Sequence, residues 1–221
     1  MTDVPPQAGR LFGDQLEVAK RYADLLATEG VVRGLIGPRE APRIWERHLL
    51  NCAAVAELIP SGAFITDVGS GAGLPGIVLS VARPDLAVIL VEPLARRTAF
   101  LTEVVRALGV DARVAVVRGR AEEMASTLRP ADIVTARAVA PLDRLARWCL
   151  PLATVGGRLL ALKGASAAEE VAAHRIEVAR LGGGTPIVHL CGSGILDPPT
   201  TVVEIVRERA GTATRRPSRR K

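Results

Sequence analysis

Phe64–Gly76 reads Phe-Ile-Thr-Asp-Val-Gly-Ser-Gly-Ala-Gly-Leu-Pro-Gly, and it decides the fold of this 221-residue chain. A short apolar run ends at Asp67, four glycines follow, and the apolar residues of a helix come next. This order predicts a β-strand, a glycine-rich turn and a helix N-terminus, the unit that opens nucleotide-binding α/β domains. Glycines let the backbone turn tightly beside a ligand, and the free N–H groups at the start of a helix favour an anion.

The spacing of the glycines narrows the choice of ligand. The last three fit the dinucleotide fingerprint Gly-x-Gly-x-x-Gly, which is a weak signal by itself. The longer pattern Asp67-x-Gly69-x-Gly71-x-Gly73 resembles motif I of the class I methyltransferases, which use S-adenosylmethionine. Glu92 ends the next apolar run about 20 residues further on, where either cofactor would present its ribose hydroxyls. The bare glycine pattern therefore leaves two cofactors open.

Apolar runs alternate with helical patterns after residue 64. Such alternation predicts a parallel sheet with helices on both faces. The last two runs, Ile187–Leu190 and Thr201–Val206, flank a turn-rich segment and predict an antiparallel pair. We therefore predict an α/β fold with a mostly parallel seven-stranded sheet and a C-terminal antiparallel hairpin. The predicted parts are an irregular N-terminus at 1–13, a helical extension at 14–60, a Rossmann-like domain at 61–208 and a basic, disordered tail at 209–221.

The net charge of +6 is concentrated at the C-terminal end. The last ten residues hold four arginines, one lysine and no acid, so the rest of the chain is nearly neutral. Such a tail either binds phosphate non-specifically or aids solubility. No apolar stretch is long enough to span a membrane, and three widely spaced cysteines predict reduced, buried thiols rather than a metal cluster. We expect a cytoplasmic protein.

Six segments together resemble a known family. They are Ile44–Leu50, Asp67–Gly76, Arg96–Leu101, Gly119–Glu123, Thr135–Ala140 and Leu160–Gly164. In this order and spacing they resemble the RsmG family, also called GidB, over about residues 14–206. The chain departs from the family pattern twice in its N-terminal helices. Gly34-Leu35-Ile36 stands where the family usually has Asn-Leu-Thr, and Asn51-Cys52 stands where it usually has Asp-Ser.

The resemblance implies a class I methyltransferase that transfers a methyl group from S-adenosylmethionine to N-7 of a guanine in the 530 loop of 16S ribosomal RNA. The implied partner is 16S ribosomal RNA or the small ribosomal subunit, with no metal, no membrane and a monomeric chain. The cofactor-binding residues are expected to be Asp67, Gly69, Gly71, Gly73, Leu74, Glu92, Ala121, Glu122 and Arg137. The expected catalytic residues are Arg137 and His48, and the expected RNA-binding residues are Arg96, Arg97, Arg120 and Lys163.

The residues around Arg137 favour a ring nitrogen as the methyl acceptor. Enzymes that methylate exocyclic amines carry Asp/Asn-Pro-Pro-aromatic after the fourth strand, whereas this chain has Arg137-Ala138-Val139-Ala140. The lone pair of guanine N-7 is free without deprotonation, so placement of the nucleophile suffices and no general base is required. A small-molecule methyltransferase and a non-catalytic, cofactor-binding assembly factor remain the alternatives. A nicotinamide reductase is disfavoured because the only tyrosine, Tyr22, precedes the nucleotide-binding unit.

Overall fold

A computed structural model describes residues 3–137 and 140–211, and it places a seven-stranded sheet at the centre of the chain. The strands are β1 (Phe64–Val68), β2 (Ala87–Glu92), β3 (Val114–Arg118), β4 (Ala131–Arg137), β5 (Ala153–Lys163), β6 (Ile187–Cys191) and β7 (Thr200–Val206). Their order is β3-β2-β1-β4-β5-β7-β6. Strands β1 to β5 are parallel to one another, and β7 runs antiparallel to both β5 and β6. The predicted α/β fold with a terminal antiparallel pair is confirmed.

Eight α-helices lie in the described part of the chain. They are α1 (Gln7–Phe12), α2 (Leu16–Leu25), α3 (Leu50–Ala54), α4 (Gly76–Ala82), α5 (Ala95–Leu108), α6 (Ala121–Met124), α7 (Leu142–Cys149) and α8 (Ala167–Arg180). Helical turns at 41–49 and 55–58 extend α3 on both sides. Helix α5 ends at Gly109, whose φ of +68° is the left-handed conformation that glycine adopts without strain.

The prediction of an irregular N-terminus was wrong for residues 7–12, which form α1. This helix is short, and its stability comes from packing, because Ala8 and Phe12 are buried. The Phe12 ring meets the Trp45 ring edge to face at a centroid distance of 6.0 Å. A contact between rings so far apart in the sequence leaves no local sequence pattern, so the helix could not be predicted from residues 1–13.

Strand β1 lies in the middle of the sheet, and all five of its residues are buried. Helices lie on both faces, as a parallel sheet requires. One face packs against α4, α5 and the N-terminal helices, and these side chains form a single apolar cluster. The other face packs against α7 and α8. The N-terminal extension therefore shares a hydrophobic core with the sheet and lies over the edge at which β1 ends.

Two predicted features fall outside the described residues. Ala138 and Val139, which follow Arg137 in the family-like segment, are not described. The same holds for residues 212–221, which carry the basic charge predicted for the tail.

Gly76 is a position at which the fold leaves little room for a side chain. A Cβ atom there would lie 2.4 Å from Cδ2 of Leu90 and 2.8 Å from Oδ2 of Asp67. We expect Gly76→Ala to lower the free energy of unfolding by about 1–3 kcal/mol, the usual cost of overpacking a core. Urea unfolding of the full chain measures it.

Gly9→Ala is the matched control. Gly9 lies in α1, and a Cβ atom added there would have no other heavy atom within 4 Å. Alanine also favours a helix interior over glycine by up to about 1 kcal/mol. This variant should be as stable as the wild type or slightly more stable. Equal stability of Gly76→Ala and the wild type would contradict the close contact between the start of α4 and β1.

Candidate active site

The glycine loop between β1 and α4 is anchored to β2. The N–H groups of Gly69 and Ser70 both donate to the carbonyl oxygen of Val91, at 2.9 and 3.2 Å. Gly69, Gly71 and Gly73 have φ angles of +69°, +58° and +103°, which other residues adopt only with strain. These three glycines therefore give the loop its shape, as the sequence predicts.

Asp67 lies beneath the loop rather than at its surface. Its side chain is fully buried, and its two oxygens accept from the N–H of Gly76 at 3.2 Å and from the hydroxyl of Thr135 at 2.7 Å. Burial raises the pKa of Asp67 to about 6, although the hydrogen bonds from Thr135, Ser70 and Gly76 oppose the shift. Asp67 does not line the cavity described below, so the structure does not bring this predicted cofactor ligand to the cavity wall. It joins β1 to β4 and to the start of α4.

Glu92 occupies the corresponding end of β2. Its carboxylate accepts from the backbone N–H of Gly71 and from that of Leu94, both at 3.0 Å. Nη1 of Arg97 lies 3.7 Å from the same carboxylate. A carboxylate offers about four acceptor positions, so Glu92 can also accept from two hydroxyl groups. Two backbone donors thus fix this acid at the edge of the cavity.

A cavity of about 910 Å³ lies over the carboxyl ends of β1 to β4. Its walls are the glycine loop, the β2–α5 and β3–α6 turns, α7 and the loop that follows α2. Many of the predicted site residues line it: His48, Gly69, Gly71, Leu74, Glu92, Arg97, Arg120, Ala121, Glu122 and Arg137. Gly73 and Arg96 are not among the lining residues: Gly73 is buried in the loop and Arg96 is exposed outside the cavity.

Several lining residues were missed by the sequence analysis. Leu35 and Ile36 line the cavity from the loop after α2, at the first departure from the family pattern. Trp148 lines it from α7, and Arg118 lines it from the end of β3. The position of Arg118 at a strand end was a usable signal. Leu35, Ile36 and Trp148 carry no signal of their own, because their place depends on how distant elements pack.

Arg137 ends β4 and connects the sheet to the N-terminal extension. Its Nη1 donates to Sγ of Cys52 at 3.2 Å, and its Nη2 donates to the carbonyl oxygen of Arg47 at 3.4 Å. Nη2 also contacts Nδ1 of His48. The two predicted catalytic residues are therefore neighbours at one wall of the cavity.

His48 is uncharged at neutral pH in this arrangement. Burial and the positive charge of Arg137 lower the pKa of His48 from 6.5 to about 4. A neutral imidazole accepts the Arg137 N–H at Nδ1 and places its own N–H at Nε2, which lies 3.4 Å from Oε2 of Glu40. The ring thus lies between Arg137, which it contacts through Nδ1, and Glu40, to which its Nε2 makes no hydrogen bond within the described residues.

A second cavity of about 640 Å³ lies on the other side of Arg137. It is lined by Arg47, Asn51, Arg137, Ala140, Pro141, Leu162, Lys163, Gly164, Glu170 and Thr200. Lys163, predicted as an RNA contact, donates from Nζ to Glu170 at 2.7 Å and to the carbonyl oxygen of Ala140 at 2.9 Å. Its charge is therefore already paired. Arg137 lines both cavities and marks their boundary.

Two other kinds of feature are absent from residues 3–137 and 140–211. No group of three or more His, Cys, Asp or Glu is arranged there to hold a metal ion. In the same ranges, no helix has both the length and the apolar composition that crossing a bilayer requires. The cysteines Cys52, Cys149 and Cys191 are free and buried, as predicted.

Solved structures share this fold at low sequence identity. The O-methyltransferase NcsB1 was solved with S-adenosylmethionine and a naphthoic acid, and it matches with a TM-score of 0.60 at 17% sequence identity. The matched region covers 93% of this chain and 74% of the NcsB1 chain. Aeropyrum pernix fibrillarin, solved with natively bound S-adenosylmethionine, matches with a TM-score of 0.53 at 20% sequence identity. This match covers 73% of this chain and 75% of the fibrillarin chain. The class I methyltransferase fold expected from the family resemblance is confirmed.

The sequence itself is much closer to one family. Residues 15–195 match the family model described as rRNA small subunit methyltransferase G, or GidB. Ribosomal RNA small subunit methyltransferase G from Salinispora tropica is 68% identical over 98% of this chain and 93% of that protein. The protein of the same name from Corynebacterium efficiens is 54% identical over 93% of this chain and 89% of that protein. The predicted family is confirmed: the chain belongs to the rRNA small subunit methyltransferase G family.

Proposed function

We propose that this chain transfers the methyl group of S-adenosylmethionine to N-7 of a guanine in the 530 loop of 16S ribosomal RNA. Membership of the family gives methylation of small-subunit ribosomal RNA. The methyl-accepting atom, the loop of the RNA and the roles of individual residues belong to the proposal. The observation that carries the inference is that two cavities meet at Arg137, at the carboxyl end of the fourth strand.

The larger cavity fits the cofactor. Its volume of about 910 Å³ lies within the range of small-molecule sites, about 300–1,000 Å³. Glu92 lies at its edge with acceptor positions left for a ribose diol. Apart from its own chain neighbours, the one described heavy atom within 4 Å of a Cβ added to Gly71 would be the Gly69 carbonyl oxygen, so the loop leaves room for a ligand to approach its backbone. Bound S-adenosylmethionine supplies a methyl group on a positively charged sulfur.

The smaller cavity suits the substrate guanine. Arg47 and Arg137 bring positive charge to its lining, whereas the charge of Lys163 is paired with Glu170. Asn51 and Thr200 supply an amide and a hydroxyl. A polyanion such as RNA is attracted by local positive charge, even though the chain outside its tail is nearly neutral. Guanine placed here would face the cofactor cavity across Arg137. An arginine fork can hold a phosphate through two parallel hydrogen bonds, or it can donate to O-6 of a guanine alone and leave N-7 free.

The chemistry asks for placement rather than for proton transfer. Guanine N-7 attacks with a free lone pair, so the nucleophile loses no proton. His48 is neutral, and its Nδ1 already accepts from Arg137. Glu170 already accepts from Lys163 and from the backbone N–H of Leu142. These groups next to the substrate cavity hold one another in place, and they leave in-line placement of the guanine as the main contribution to the rate.

Three further arginines surround the mouth of the cofactor cavity. Arg97, Arg118 and Arg120 line it. Arg96 precedes Arg97 on α5 and is exposed. Phosphate contacts from such side chains position an RNA without reading its sequence. We assign Arg96, Arg97 and Arg120 to this role, with Arg118 added, and we assign Lys163 to holding Glu170 beside the substrate cavity.

Methyl transfer to small ribosomal subunits tests the proposal directly. Subunits from a strain that lacks the 530-loop modification are incubated with the protein and radiolabelled S-adenosylmethionine, and the label is mapped by cleavage at N-7-methylguanine. We expect one label, in the 530 loop. Arg137→Ala should lower kcat/KM by at least about a hundredfold, because a charged contact at the boundary of the two cavities is lost.

Arg106→Ala is the control, because Arg106 is an exposed arginine on α5 outside both cavities, and its activity should equal that of the wild type. Label on another atom or in another loop contradicts the proposal. Label transferred to free nucleotides but not to subunits indicates a small-molecule methyltransferase. Cofactor binding without any transfer indicates a non-catalytic assembly factor. Full activity of Arg137→Ala removes Arg137 from the site.

A second prediction concerns Glu92. Both of its oxygens accept from backbone N–H groups, so the amide of Glu92→Gln would turn its NH₂ toward one of these donors. We expect the dissociation constant of S-adenosylmethionine to rise at least about tenfold, since a buried donor is left unpaired and a ribose acceptor is lost. Isothermal titration calorimetry measures it. Glu169→Gln, on the exposed first turn of α8 and outside both cavities, should bind nearly as tightly, and equal affinities of the two variants would contradict the role of Glu92.

A third prediction follows from the lowered pKa of His48. The unfolded chain binds a proton on this residue below about pH 6.5, whereas the folded chain does so only below about pH 4. The free energy of unfolding therefore falls as the pH drops through this interval, by about 3 kcal/mol in total. Asp67, with its raised pKa, acts in the opposite direction over a similar range.

His48→Asn isolates the effect, because asparagine offers an oxygen close to Nδ1 but does not titrate. The difference in unfolding free energy between the wild type and this variant should shrink between pH 7 and pH 4, while the Asp67 contribution cancels. Urea unfolding at several pH values measures it. A difference that is independent of pH would show that His48 titrates normally.

A further inference from the structure

Tyr22 is the only tyrosine in the chain, and it lies far from the glycine loop in sequence. It belongs to α2 of the N-terminal extension, and it is 1% exposed. Its hydroxyl donates to the carbonyl oxygen of Ala72 at 2.8 Å. Burial raises the pKa of Tyr22 well above its usual value of 10, so the hydroxyl keeps the proton that it donates. The N-terminal extension therefore contacts the glycine loop at Ala72, through a residue that does not line the cavity.

The Tyr22 hydroxyl fixes one peptide unit, the one between Ala72 and Gly73. At one end of this unit the carbonyl accepts from Tyr22, and at the other end the Gly73 N–H donates to the carbonyl oxygen of Ser70 at 2.7 Å. Gly73 has a φ of +103°, and a Cβ there would lie 2.7 Å from the Tyr22 hydroxyl. Glycine is thus required at this position, and glycine also makes rotation of the peptide easy once its hydrogen bonds are lost.

The orientation of this peptide determines the wall of the cofactor cavity. Gly71, Ala72 and Leu74 all line that cavity. The Gly71 N–H donates to Glu92, so a shift of the loop would also move an anchor of that acid. A loop that is already held in its binding shape costs less free energy to order when a ligand binds. Tyr22 itself does not line the cavity, so its effect on a ligand there would pass through the loop.

We propose that Tyr22 is a positioning residue of the cofactor site, which locks the peptide between Ala72 and Gly73 and so preorganises the glycine loop. The inference rests on the proposed function in taking S-adenosylmethionine as the ligand. It goes further in assigning part of the cofactor site to the N-terminal extension. The lock acts on cofactor affinity and leaves the methyl-transfer step unchanged, because Arg137 and the substrate cavity are held by other contacts.

Tyr22→Phe removes the hydroxyl and keeps the ring. We expect calorimetry on the full chain to give a dissociation constant for S-adenosylmethionine that is about 5- to 50-fold higher, since a buried carbonyl loses its donor. With small subunits as substrate, KM for S-adenosylmethionine should rise by a similar factor, and kcat at saturation should stay within about twofold. Hydrogen exchange of the free protein should be faster at the amides of Gly73 and Leu74, which both donate to Ser70.

Ile44→Val is the matched control. Ile44 is fully buried in the same apolar cluster, so this variant loses a methylene and some stability but keeps the Tyr22 hydroxyl. It should bind S-adenosylmethionine like the wild type. An unchanged dissociation constant for Tyr22→Phe overturns the proposal, and so does an equal loss of affinity in Ile44→Val, which would indicate general loosening of the extension. A fall in kcat alone also overturns it. If the wild type binds no S-adenosylmethionine, the proposed function fails. The hydrogen-exchange rates of Gly73 and Leu74 in Tyr22→Phe then test whether Tyr22 holds the peptide, and unchanged rates overturn that claim too.

Discussion

The buried carboxylate of Asp67 is the contact on which the rest of the site depends. It accepts from the start of α4 through Gly76 and from β4 through Thr135, so one side chain fixes three elements around the glycine loop. Burial raises its pKa to about 6, which shows that the interior disfavours its charge. The polar donors around it offset that cost in part. Because Gly76 carries no side chain, the helix can begin directly against this acid.

The N-terminal extension supplies the second half of the site. Its helices share one apolar cluster with a face of the sheet, so the extension and the sheet bury a common core. From that position it reaches the site through Tyr22 at the glycine loop, through His48 and Cys52 at Arg137, and through Ile36 at the cavity wall. Segments that are far apart in the sequence thus complete one cavity. Loss of the extension would expose the core and release the loop and the arginine together.

Local patterns account for what the sequence analysis could predict. Short stretches of sequence determine the glycine loop, the alternation of strands and helices, and the terminal antiparallel pair. The structure confirms all three. Strand ends likewise located Glu92 and Arg137 at the cavity. The direction of a side chain is not local, however. Asp67 stands one residue before the end of β1, and its side chain is buried beneath the loop, whereas Glu92 is the last residue of β2 and lies at the cavity. Lys163 is neutralised by Glu170 on the next helix. Tyr22 joins the loop across 50 positions, a separation that no periodicity reveals.

The polar groups beside Arg137 favour the ring nitrogen proposed above as the methyl acceptor. An exocyclic amine or a hydroxyl must give up a proton when it takes a methyl group, so its enzyme needs a nearby acceptor. Here the neutral imidazole of His48 accepts from Arg137, and Glu170 accepts from Lys163, so both acceptors are already engaged in holding a cation. Freeing either one would unpair a partly buried charge. Guanine N-7 makes no such demand, because its lone pair is available as it stands. The contact that occupies His48 also fixes Arg137 between the two cavities. In the proposed reaction, a fixed Arg137 would hold the guanine in line with the methyl group.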